Sequence, residues 1–136
     1  MKPSTVREGV KWLSDKRLDV FFVTLNKADK DYSPTTMYND YSISESLFHW
    51  QSQSTTAENS PTGQRYIHHK ERGSKVLLFV REFKADRVTG GAEAYTYLGT
   101  ASYVKHEGSR PMNITWRLDC PIPAKFLKKT NKLVVG

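Results

Sequence analysis

At 136 residues the chain has the length of one domain, able to bury a core without disulfide or metal staples. It is 38% hydrophobic, below the usual globular share, yet 12% aromatic, which excludes disorder over most of its length. The formal net charge of +7 favours a polyanionic partner, nucleic acid above all, through phosphate neutralisation.

The first element expected is an amphipathic helix over residues 4–17, with Ser4 as cap and Val6, Val10 and Leu13 at near-helical spacing. "LDVFFVTL" (18–25) is a β-branched and aromatic run that reads as a buried strand. Ser33 and Pro34 can open a helical turn through Tyr38. "LFHWQSQS" (47–54) alternates Phe48, Trp50 and Ser52 on one face with His49, Gln51 and Gln53 on the other. A polar turn over 54–64 and a Gly63–Tyr66 return follow, with His68 and His69 on a strand. "KVLLFVREF" (75–83), after the Arg72-Gly73-Ser74 turn, reads as a central strand. "AYTYLGTASYVKH" (94–106) reads as one or two strands, bent or bulged at Gly99. "MNITWRLDCPIP" (112–123) sets Ile114, Trp116 and Leu118 on one face and stops at Pro121 and Pro123. Residues 123–133 suit a short basic helix, and Gly90-Gly91 and Gly108-Ser109 suit hairpin connections. The expected fold is mainly β: one domain over 1–136, a barrel or half-barrel (pseudobarrel) with short flanking helices.

Cys120 is the only cysteine, so no intramolecular disulfide can form, and a structural, buried thiol is expected. No apolar run approaches the ~18 residues of a membrane-crossing helix. The opening "MKPSTVREGVKWLSDK" is too polar for a signal peptide, so a cytoplasmic location without membrane partners is expected. His49, His68, His69 and His106 lack zinc-ligand spacing, and no phosphate-binding glycine loop is present. Glu82-Phe83-Lys84, with Asp40 upstream, fits the acid-and-lysine pattern of metal-dependent nucleases. That nuclease is the catalytic alternative to a non-enzymatic domain that needs no cofactor or metal.

The segment 32–66 points to recognition instead, because it interleaves aromatic rings with amides and hydroxyls. Rings stack on bases, and amides or carboxylates read base edges. Tyr38 and Trp50 are the expected stacking residues, and Asp40, Gln51 and Gln53 the edge readers. His49, Ser52, Arg65, Lys105 and Arg110 are the expected phosphate contacts. Lys125, Lys128, Lys129 and Lys132 would add sequence-independent affinity.

The ordered series "YSPTTMYNDY" (32–41), "LFHWQSQS" (47–54), "SPTGQRYI" (60–67), "LLFVRE" (77–82), "YLG" (97–99) and "RPMNITWRL" (110–118) resembles a family of uncharacterised function. That family occurs at the C-terminus of bacterial superfamily II helicases, often fused to a phospholipase-D-type nuclease. The resemblance spans about residues 18–127. It implies a DNA-reading module in a restriction or phage-defence helicase–nuclease system. Double-stranded DNA, in one version carrying modified bases, is the implied partner, together with the helicase and nuclease parts. A domain that only docks to its helicase is the further alternative.

Overall fold

The computed structural model describes residues 9–25, 40–83, 91 and 93–127. The turn expected at 33–38, Tyr38, Lys84, Gly90 and the three lysines Lys128, Lys129 and Lys132 lie outside these residues. Among the described residues, seven strands form one sheet: β1 (Gly9–Leu13), β2 (Leu18–Thr24), β3 (Tyr41–Ser42), β4 (Leu47–Gln51), β5 (Lys75–Arg81), β6 (Thr96–Glu107) and β7 (Asn113–Leu118). Helix α1 (Pro61–Ile67) lies between β4 and β5 in sequence. The sheet order is β1-β2-β5-β6-β7-β4-β3. Of these strands only β2 and β5 pair in parallel, and β3, β4 and α1 lie in the crossover that this pairing requires.

The sheet curls strongly. Phe21 on β2 and Trp50 on β4 are separated by four strand steps, about 19 Å on a flat sheet at ~4.8 Å per step. Their rings instead stack at 4.1 Å between centroids. Tyr66 of α1 packs edge-on to both, 5.6 Å from Phe21 and 5.5 Å from Trp50, and Trp116 of β7 meets Phe21 at 5.4 Å. The helix thus plugs a sheet rolled around an aromatic core, with β1 and β3 left as edges. The architecture is a mainly β half-barrel, as the alternation of β-branched and aromatic residues implies.

Four local expectations are corrected. Residues 9–13 form a strand, not part of a helix: Val10 and Trp12 alternate with Lys11, and pairing with β2 satisfies the backbone. The Gly63–Tyr66 return lies inside α1, where Pro61 opens the helix and the Gly63 N–H donates to the capping Ser60 Oγ at 3.0 Å. His68 caps the end of that helix rather than occupying a strand. Cys120 is exposed beyond β7. The bulge at Gly99 is present: register shifts between Leu78 and Phe79, and Gly99 adopts φ +108°, which a side chain would oppose. The C-terminal segment contributes one helical turn over residues 124–127, whose Phe126 is buried.

Candidate nucleic-acid interface

The alternation of β4 separates two groups of expected site residues. Trp50 points inward and is 5% exposed, so its ring serves the core, not a base. Ser52 is also buried: its hydroxyl donates to the Gln53 carbonyl and accepts the Met112 N–H at 2.8 Å. It tethers the chain end of β4 to the start of β7 and is not a phosphate contact. Asp40, 8% exposed, accepts the Gln51 N–H at 2.8 Å and continues the β3–β4 edge in place of a base-reading role.

His49 and Gln51 face outward. Register aligns Lys105 of β6, Thr115 of β7, His49 of β4 and Tyr41 of β3 in one row across the outer face. Three strand steps make that row about 14 Å wide, comparable to four nucleotides of one strand at ~3.4 Å each. His49 stacks on Tyr41 at 4.6 Å with 14° between planes. In the next row the Gln51 Nε2–H donates to Asn113 Oδ1 at 3.1 Å, which presents a joined pair of amides.

On the other side of the first row lies Arg117, exposed and opposite Ser102 and Leu47. Ser102 lines a cavity of about 430 Å³ together with Lys70, Lys75 and one acidic residue, Asp119. Lys75 in turn adjoins the β1–β2 turn, since its N–H donates to the Arg17 carbonyl at 2.9 Å. Arg17 Nη1–H donates to the Arg72 carbonyl at 3.0 Å, which ties two basic turns into one corner. A stripe of cations therefore runs from Arg17, Arg72 and Lys75 through Arg117 to Lys105. Lys75 and Arg117 do not stand out in the sequence as site residues. Their signal is legible only in the alternation of β5 and β7, where each lies on the face opposite the buried apolar residues.

Arg65 and Gln53 belong elsewhere, in a cavity of about 300 Å³ between β1 and α1. Arg65 is not a free phosphate grip. Its Nε–H and Nη2–H donate to Asp19 Oδ2 and Oδ1, both at 2.8 Å, and Asp19 is fully buried. Burial alone would lower the guanidinium pKa, but the hydrogen bonds and charge of Asp19 outweigh it and hold the pKa above its ordinary value. Burial pushes the neighbouring Tyr66 phenol up, Asp19 adds to the rise, and Arg65 opposes it. The Arg65 guanidinium also lies 4.3 Å over the ring of Trp12, which is 36% exposed. Trp12 gives no signal as a site residue while its segment reads as a helix.

Arg110 joins the two regions. Exposed in the β6–β7 connection, it donates its N–H to the Thr56 carbonyl at 2.9 Å, and Thr56 lines the smaller cavity. A second strut links the same parts: His106 Nε2–H donates to Glu58 Oε1 at 2.7 Å, and the Tyr103 O–H donates to His106 Nδ1 at 2.7 Å. Burial, then the Glu58 charge, raises the Tyr103 phenol.

For the catalytic alternative, Glu82 lies just past β5, and the N–H groups of Glu82 and Phe83 donate to the carboxylate of Glu93. Among the described residues no group of three or more His, Cys, Asp or Glu could hold a metal ion. Among the same residues, no helix is long and apolar enough to cross a membrane.

A comparison with curated proteins gives no match. A family model described as "Domain of unknown function (DUF3427)" matches residues 2–129, which include all seven strands of the curled sheet, and the chain belongs to that family.

Proposed function

We propose that this domain is a non-enzymatic DNA-binding module whose contact surface is the outer face of the half-barrel. The observation that carries the reading is the convergence on one side of cations from separate segments: Arg17, Arg72 and Lys75, then Arg117 and Lys105. Such a stripe neutralises phosphates along a strand and releases their counterions. The Tyr41–His49 stack and the Gln51–Asn113 amide pair, all half-buried, lie beside it, where their hydrogen-bonding groups would contact base edges or sugar. In this reading the domain supplies DNA contact to a restriction or phage-defence helicase–nuclease assembly, and the motor and cutting chemistry belong to other parts.

The test is a titration of the full chain with a fluorescent duplex across a salt series. Binding at low salt is expected, with log K falling linearly against log salt. Lys105→Ala with Arg117→Ala lowers affinity and flattens the slope by about 0.9 for each phosphate that is no longer neutralised. Gln51→Ala leaves the slope in place and changes the ranking of duplex sequences. No binding at low salt overturns the reading.

A further inference from the structure

The row of Gln51 and Asn113 continues onto β6. Register sets Gln51 opposite Asn113 and Asn113 opposite Glu107, so the three residues stand side by side on the outer face. This row lies two residues from the row of Lys105, about 7 Å along the strands. Its width of two strand steps, about 10 Å, fits the ~12 Å major groove of B-DNA, which sheets as well as helices enter. By sign, Glu107 is the odd member of a cationic face.

Three features give the row its chemistry. The first is the carboxylate. Glu107 is exposed, and among the described residues no cation pairs with it, although Lys105 stands on the same face. A carboxylate within the ~8 Å screening length of a phosphate weakens binding, so its place is over the groove, not over the backbone. The second is rigidity. On one side of Glu107, His106 Nε2–H donates to Glu58 Oε1 at 2.7 Å. On the other, Ser109 Oγ accepts the Glu58 N–H and the Arg110 N–H donates to the Thr56 carbonyl, both at 2.9 Å. The β6–β7 connection is thus fastened on both flanks and presents Glu107 preorganised. The third is the pattern of donors and acceptors. Because Gln51 Nε2–H donates to Asn113 Oδ1, Asn113 keeps its Nδ2–H donors, and Glu107 offers acceptors alone. An amide whose oxygen is engaged cannot make the two-point contact by which Asn reads adenine. A carboxylate beside an amide donor matches the cytosine N4 amino donor beside the guanine O6 acceptor.

We infer that Glu107 is a specificity-determining residue of this face: it accepts a hydrogen bond from the N4 amino group of a cytosine in the major groove, while Asn113 donates to the paired guanine. The inference rests on the DNA-binding reading and names what that surface prefers, an intact C·G pair in a duplex. Lys105 and Arg117 meet phosphate in the neighbouring rows. Glu107 lowers affinity for every duplex and restores it only where an amino group answers the carboxylate.

The experiment titrates the full chain with fluorescent duplexes of equal length whose central pairs are C·G, A·T or C·inosine. Inosine lacks the guanine N2 amino group, so C·inosine keeps the major-groove edge of C·G and changes only the minor groove. C·G and C·inosine are expected to bind alike, each about tenfold tighter than A·T, equivalent to ~1.4 kcal/mol. Glu107→Ala, at an exposed position, is expected to keep the fold by circular dichroism and to bring the ratio of C·G to A·T affinity close to one. Glu107→Gln loses the charge but keeps an acceptor oxygen, so it is expected to tighten all three complexes and retain part of the preference. Equal wild-type affinities for C·G and A·T overturn the inference and leave the DNA reading standing. So does C·inosine that binds like A·T, or a preference unchanged in Glu107→Ala. No binding of any duplex at low salt removes both readings.

Discussion

Asp19 is a carboxylate with no exposed surface, placed on a strand between Leu18 and Val20. An isolated charge there would be intolerable, and Arg65 compensates it with two parallel hydrogen bonds from α1. The pair is asymmetric in its consequences. Removing one partner leaves a buried charge uncompensated, so Arg65→Ala is expected to destabilise the fold by about 3–5 kcal/mol, read as a lower urea midpoint. Asp19→Leu with Arg65→Met is expected to recover most of that loss. The sequence suggested that Arg65 could meet an anion. It did not reveal that the anion lies within the same chain, 46 positions upstream. His69 shows the same limit. It is buried beside Trp116, where its Nδ1–H donates to the Ser74 carbonyl and its Nε2 accepts the Tyr103 N–H. The first bond closes the α1–β5 connection on itself and the second joins it to β6, a role that adjacent histidines in a sequence do not announce.

Among the elements, α1 is set by packing more than by propensity. With seven residues it is too short to persist alone in water. Its start is nonetheless written locally, in Ser60 followed by Pro61. Its seat is decided by Gly63, where an added Cβ would collide with the Ala57 carbonyl oxygen and approach that of Glu58 at 2.9 Å. Helix propensity says that Gly63→Ala should stabilise by up to about 1 kcal/mol. The backbone contacts reverse that sign, and a destabilisation of about 1–3 kcal/mol is expected from overpacking, measured by thermal or urea unfolding. β1 illustrates the opposite case. Val10 and Leu13 fit a helix by spacing, but the exposed backbone edge of β2 offers hydrogen bonds that a short amphipathic helix at the chain start cannot match. β5 and β7 were legible in full because their apolar residues alternate strictly or run continuously.

For the molecule as a whole, the decisive feature is the curl that brings β2 and β4 together. Trp50 is the stitch: it stacks on Phe21 and meets Tyr66, so three elements distant in the sheet order share one contact. Trp50→Ala is expected to cost about 3–5 kcal/mol of stability, whereas the half-exposed Trp12→Ala costs much less. Equilibrium unfolding of the two variants reads the difference directly. The same curl turns one face of the sheet outward. It aligns Lys75, Arg117 and Lys105 on β5, β7 and β6, although they lie far apart along the chain. The salt dependence expected of the proposed DNA binding belongs to this scale, because it would measure phosphates met by the stripe together and not by one residue.

The amino-acid sequence by itself determined the β-rich class, the existence of β2 and β5, the faces of β4 and β7, the bulge at Gly99 and the excess of positive charge. Each follows from local rules: side-chain alternation, backbone freedom and composition. Only the tertiary structure decided which aromatic residues are core, which cation is already paired and which polar groups converge. Those outcomes depend on strand order and on the degree of curl, which arise from contacts between distant segments. Phe21 meeting Trp50 and Asp19 meeting Arg65 are long-range events, and no window of neighbouring residues contains either. For that reason the segment from Leu47 to Tyr66 reads as one site in sequence and becomes two surfaces and a piece of core in space.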